Sequence, residues 1–354
     1  MSMRAFGWLM IALAAACSAS HRESPRRSPE PSSGQSGSSA ASSGQPGSSP
    51  ARGTLGESAG CYEFGVHGDD QAAPFAIQPG EQIHVFYYRA PWTEEVEAIH
   101  FESALDAADA IYGWSLYSVP NARFAPGEHE WAIGSWSSSP ETRLLARGAA
   151  GAWSWRLPED VALRLPAPNA TLAVEWHHLN VSNSEQHDRS VVRVCTVPAS
   201  TRPRAAELTV LGTEDLNGIE GMPPGEHTFA GACIVRAAHP LQLLAISPRL
   251  HGHGVGAELT IEHPDGRSTL AHDAPFQSTD QRFYPVALDL HPGDRLVTRC
   301  SYRNSSEYAS PWGVSVWQEN CYLLTLTTPG GLRTHENGLW AIDNTCLWDG
   351  FGSP

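Results

Sequence analysis

The chain has 354 residues, with 38 acidic against 23 basic side chains and a formal net charge of -15. An acidic surface repels phosphates and no basic stripe appears, so nucleic acid is excluded as a partner. Past the N-terminus no apolar run is long enough to cross a bilayer as a helix, and the chain beyond residue 60 suffices for one large domain or two ordinary ones.

Residues 1–4 supply a positive start and residues 5–16 an apolar run too short to span a membrane, the pattern of an export signal. The run ends in LAAAC at 13–17, which resembles the bacterial lipobox, in which the cysteine is lipidated and becomes the mature N-terminus. Residues 1–17 are expected to be a lipoprotein-type signal with Cys17 as the lipidation site; a simple cleaved signal is the alternative. The expected location is the bacterial cell envelope, with the membrane as a partner through that lipid. Residues 18–60, dominated by Ser, Gly, Pro and Ala, bury too little apolar surface to offset ordering and predict a disordered tether.

Beyond the tether, EQIHVFYYRA, ATLAVEWHHLNV, RSVVRVCTV, LQLLAISPRL, AELTIEH, DRLVTRCSY and CYLLTLTT are short alternating runs rich in β-branched and aromatic residues. Turn signals such as PDG at 264–266 and PGD at 292–294 break them. The pattern predicts an all-β fold of antiparallel sandwiches. One helical pattern, around 105–111, is short enough to be a loop. The segment VPASTRPRAAEL at 197–208 carries two prolines and little periodicity, which places an N-terminal sandwich at 61–203 and a C-terminal one at 204–354. Setting Cys17 aside, Cys61 and Cys195 fall in the first and Cys233, Cys300, Cys321 and Cys346 in the second. Even counts in an exported chain favour disulfides, with the pairing open.

His251 and His253 stand in the run RLHGHGVGAELTI. On a strand, residues two apart share a face, so both imidazoles would reach one metal ion; two strand-edge histidines without a metal are the plainer reading. His100 reads as a half-buried strand histidine, His263 and His291 as turn-flanking, and His187 as part of a polar loop. Trp131, Trp136, Trp153 and Trp155 read as sandwich core ahead of a ligand-facing surface. No nucleophile elbow, phosphate-binding glycine loop or H-E-x-x-H helix is present.

From about residue 231 to 327 the chain resembles the C-terminal domain of the copper type II, ascorbate-dependent monooxygenases, the peptidylglycine hydroxylase and dopamine β-hydroxylase family. The features that carry it are HGH at 251–253, DGRSTL, QRFYPV at 281–286, PGDRLVTRC at 292–300 and WGVSVWQENC at 312–321. The resemblance implies two tandem jelly-roll-like β-sandwiches facing each other across a solvent-filled cleft, with one copper on each. It also implies disulfides Cys300–Cys321 and Cys233–Cys346, and with them Cys61–Cys195.

In that family the oxygen-activating copper of the second domain takes two histidines and a methionine. The histidines align with His251 and His253, and the methionine position is Asn320, whose hard amide oxygen suits copper poorly. Glu319 beside it is expected to support the site or cap a turn. The first-domain copper takes an adjacent His-His pair and a later histidine; here His177 aligns with the latter, while Tyr112 and Gly113 stand at the pair. The expectation is therefore a monooxygenase-like, monomeric lipoprotein with at most one copper site well retained, C–H hydroxylation impaired, and ascorbate a reductant only if catalysis survives. The alternative is a non-catalytic tethered module binding copper or an unidentified small molecule or peptide.

Overall fold

The computed structural model describes residues 60–330 apart from 69–71, 132–141, 152, 214–220 and 279–280. The expected export signal, Cys17, all but the last residue of the expected tether, Trp136 and Cys346 lie outside the described residues.

Alternating apolar residues build strands throughout, and the fold is all-β, made of mainly antiparallel sheets. The first half contains β1 (Cys61–Gly65), β2 (Phe75–Ile77), β3 (Gly80–Arg89), β4 (Val96–Ala104), β5 (Ile111–Ser118), β6 (His129–Trp131), β7 (Arg143–Ala149), β8 (Trp153–Arg156), β9 (Val161–Arg164), β10 (Thr171–Asn180), β11 (Gln186–Asp188) and β12 (Val191–Pro198). The second contains β13 (Arg204–Thr213), β14 (Gly225–Ile234), β15 (Leu241–Arg249), β16 (Gly254–Glu262), β17 (Ser268–Pro275), β18 (Tyr284–Leu290), β19 (Arg295–Asn304) and β20 (Cys321–Thr328). The short helical pattern before β5 forms only a single 3-10 turn, Ala108–Ala110.

A five-stranded sheet runs β6-β3-β10-β5-β7. A nine-stranded sheet runs β1-β12-β4-β9-β13-β20-β15-β18, with β8 paired to β4. The halves join inside this larger sheet, because Arg204, Ala205 and Ala206 of β13 pair in parallel with Val161, Ala162 and Leu163 of β9. On its other side β13 pairs antiparallel with β20. A four-stranded sheet, β14-β19-β16-β17, completes the second half.

The two largest cores among the described residues follow from these layers. Phe64, Phe86, Phe101, Trp114 and Trp176 pack in one cluster, which also takes Leu208, Leu244 and Leu326 from the second half. Leu211, Leu243, Leu259, Leu296 and Leu323 pack in the other. Adjacent residues on a strand point to opposite faces, so Leu243 and Leu244 serve different cores, and β20 is buried along its whole length.

Disulfides join Cys61 to Cys195, which are register partners of β1 and β12, and Cys300 to Cys321. Cys233 is also disulfide-bonded; its expected partner, Cys346, lies outside the described residues.

Candidate metal centre

β15 ends at Arg249 and β16 begins at Gly254, so His251 and His253 occupy the turn between them, closed by the Gly254 N–H donating to the His251 carbonyl at 3.2 Å. This corrects the expected strand placement, and strand alternation no longer sets the two imidazoles on one face. The reason lies in the glycines: a Cβ at Gly254 would sit 2.6 Å from the Leu250 Cβ, so only glycine lets the chain fold back this tightly. Glu319 fastens the turn. Its carboxylate accepts the His251 N–H at 3.1 Å and the His253 N–H at 2.7 Å, and it is 1% exposed. Burial pushes this carboxyl up to about 7 against the lowering effect of those backbone donors.

Both ring nitrogens of His251 are engaged. Nδ1 lies 2.7 Å from the Gln318 carbonyl and Nε2 lies 3.0 Å from Nδ2 of Asn320. A carbonyl only accepts, so Nδ1 carries the hydrogen and Nε2 offers its lone pair to the Asn320 amide. Desolvation holds this imidazole down to about 4, which keeps it neutral. The Asn320 carbonyl in turn accepts the Tyr302 hydroxyl at 2.6 Å, while its side-chain Oδ1 is buried without a partner. The residue at the expected methionine position thus covers the one lone pair His251 could give a metal.

The first-half positions come to the same place. His177 on β10 is the register partner of Gly113 on β5, and the Tyr112 ring centre lies 5.1 Å from that of His177 and 5.6 Å from that of His251. A Cβ at Gly113 would meet the Gly148 carbonyl at 3.0 Å, so a histidine there would require β7 to shift. A cavity of about 20 Å³ lies among Tyr112, Arg147, His177, Arg249, His251 and Asn320. That is room for about one water. Among the described residues no three His, Cys, Asp or Glu side chains are grouped so as to hold a metal ion. The donor set at this junction does not fit copper as it stands.

Sequence reasoning passed over Glu81 and Arg249. Glu81 accepts from His177 Nε2 at 2.5 Å, the Ser315 hydroxyl at 2.5 Å and the Val316 N–H at 2.7 Å, tying β3 to the loop before Glu319. Burial would raise its carboxyl, but these donors and the His177 ring outweigh it and bring it to about 2. A depressed carboxyl contributes stability that is present above its ordinary 4.5 and lost as pH falls through about 2. With solvent screening allowed for, this is on the order of 1–2 kcal/mol. Urea unfolding of the native chain and Glu81→Gln should show a deficit at neutral pH that shrinks at about pH 2; an equal deficit at both would refute it. Arg249 is fully buried, donating to Gln281 Oε1 at 2.6 Å and the Arg147 carbonyl at 3.0 Å, and burial with the neighbouring Arg147 lowers it well below its ordinary range. Its signal was its place two residues before the His-x-His.

Other histidines and tryptophans take structural places. His100 is buried on β4 within 2.8 Å of the Ser154 hydroxyl, and His263 bonds Asp294 at 2.9 Å. Trp155 stacks on Phe283 with centres 3.9 Å apart, as a core place requires, whereas Trp131, at the end of β6, is exposed, which corrects its expected place in the core.

The His-x-His turn clamped by Glu319 thus lies beside His177 of the first half, with the Tyr112 ring against both His251 and His177. Residues 205–325 match the model of the copper type II ascorbate-dependent monooxygenase, C-terminal domain, and this match, with the relatives below, supports a divergent member of that copper-dependent family. It is 26% identical over 255 residues to dopamine beta-hydroxylase of Rattus norvegicus, covering 67% of this chain and 39% of that protein. It is 28% identical over 197 residues to the Homo sapiens dopamine beta-hydroxylase, covering 50% and 31%. MOXD1 homolog 2 of Drosophila melanogaster is 31% identical over 140 residues, covering 36% and 18%. The chain thus spans about two fifths or less of these relatives' length. Among solved structures the STIV MCP aligns with 76% of this chain and 96% of its own at 10% identity and a TM-score of 0.35, too slight a likeness to carry an argument.

Proposed function

We propose that this chain is an exported, lipid-anchored member of the copper type II monooxygenase family in which C–H hydroxylation is impaired. The observation that carries the reading is the engagement of both His251 ring nitrogens, with the Asn320 amide on the lone pair a copper would need. Tyr112 and Gly113 supply no imidazole on the facing half, so the electron relay the resemblance implies has lost its ligands there. The remaining role is that of a monomeric binding module held off a membrane by its tether, taking a small molecule or peptide, with copper at His251 and His253 only where Asn320 yields.

Copper stoichiometry of the purified chain, read beside a His251→Ala, His253→Ala double variant, tests the metal part; two tightly held coppers at the junction would overturn it. Oxygen uptake with ascorbate tests the chemistry. The expected result is no uptake above free copper, and coupled turnover giving a hydroxylated product would refute the impaired reading. Labelling of Cys17 by a lipid precursor in the native host tests the anchor; unlabelled protein would remove it.

A further inference from the structure

A second group of imidazoles lies on the side of β10 opposite His177, where the five-stranded sheet meets β2. His178 of β10, His84 of β3, His129 of β6 and His67 beyond β1 follow one another with ring centres 6.1, 6.5 and 6.1 Å apart. The Phe75 ring sits beside three of them, 4.6 Å from His84, 5.6 Å from His129 and 5.7 Å from His178. None of the four stands at a ligand position of the family.

His178 is fully buried, and its Nε2 lies 3.1 Å from Oδ2 of Asp188, itself fully buried. The other oxygen of Asp188 accepts the Ser190 N–H at 2.9 Å and the Ser190 hydroxyl at 2.6 Å, so the carboxylate is fixed in place. A carboxylate only accepts, so His178 donates from Nε2 and its Nδ1 is left with the lone pair. This is the carboxylate–imidazole pairing that orients a histidine toward a metal. That Nδ1 is buried with no partner, and so is Nδ1 of His84. A buried polar atom left unpaired is costly, and two on neighbouring rings call for a shared partner.

The spacing selects the kind of partner. A metal–nitrogen bond of about 2.0 Å, with the ring centre roughly another 1 Å beyond, sets two imidazoles in line on one ion about 6 Å apart. The His84 and His178 centres are 6.1 Å apart. A zinc ion wants four ligands in a tetrahedron, and no such group stands here among the described residues. Copper(I) takes imidazole and tolerates two ligands in line.

We infer that His84 and His178 form a two-imidazole copper(I) site in the first half of the chain, oriented by Asp188 and separate from the His251 turn. His84 is only half-buried and gives the ion its way in, and His129 is the next imidazole beside it.

The test uses the full chain carrying His251→Ala and His253→Ala, which removes the other candidate ligands and keeps this result independent of the proposed function. Titrated with copper(I) alone against a chromophoric chelator, that protein is expected to hold one ion per chain, and adding His84→Phe, an aromatic of similar outline, to abolish it. X-ray absorption on the copper(I)-loaded protein before the His84 change is expected to show two imidazole nitrogens; it needs no folded His84 variant. No bound copper in the starting protein, an undiminished ion after His84→Phe, or a first shell without paired imidazoles would each overturn the site.

Discussion

Replacing Asn320 with methionine is expected to give the His251 turn a firm hold on copper(I) that the native chain lacks. The substitution acts twice on the same lone pair. It removes the amide that donates to His251 Nε2 at 3.0 Å, and it brings a soft thioether to the position next to it. The scaffold around the change stays fixed: the residue 320 carbonyl still takes the Tyr302 hydroxyl, Cys321 stays bonded to Cys300, and Glu319 still clamps both histidine N–H groups. The unpartnered Oδ1 of Asn320 also disappears, so the change should not weaken the fold through lost hydrogen bonding. With His84→Phe present in both proteins, so that only the His251 turn is read, a gain of about 100-fold in copper(I) affinity, or ~2.8 kcal/mol, is expected in a chelator competition. An affinity equal to that of the His84→Phe protein with Asn320 intact would mean that the amide does not govern the site.

Gly212→Ala carries the largest expected loss of stability. Gly212 lies on β13 at φ +104, a region that side chains rarely adopt, and a Cβ there would fall 1.9 Å from the Cys321 carbonyl oxygen. The obstacle is the backbone of the neighbouring strand, not a flexible side chain that can turn aside. Either β13 and β20 part or both backbones distort, next to the disulfide and to Asn320. A loss of about 4 kcal/mol or more is expected, in the range reserved for backbone strain combined with overpacking. Denaturant unfolding measures it, and a loss under ~1 kcal/mol would show that the strands separate with ease.

Much of this fold was legible in the chain. The alternation in EQIHVFYYR and CYLLTLTT marks β3 and β20, and the cysteine pairs Cys61–Cys195 and Cys300–Cys321 form as the family resemblance implies. Less was legible wherever placement depends on partners far along the sequence. The His-x-His looked extended because the residues after it alternate; only the contact between Gly254 and Leu250 and the reach of Glu319 reveal a turn. Tyr112 read as a missing ligand, yet its position between His177 and His251 makes it the filler of the junction. Glu81 and Ser315 are 234 positions apart, and nothing local in either segment announces that they meet. The row from His178 to His67 draws on several strands and a loop, so no spacing in the sequence encodes it.

The way β13 is shared between neighbours bears on how the molecule comes apart. Its pairing with β9 on one side and β20 on the other, together with Leu208, Leu244 and Leu326 seated in the core of the first half, means neither half closes its own layers alone. Melting of either half strips cover from the other. In a calorimeter the described body should therefore give a single endotherm, with calorimetric and van't Hoff enthalpies in agreement, where two beads on a string would give two.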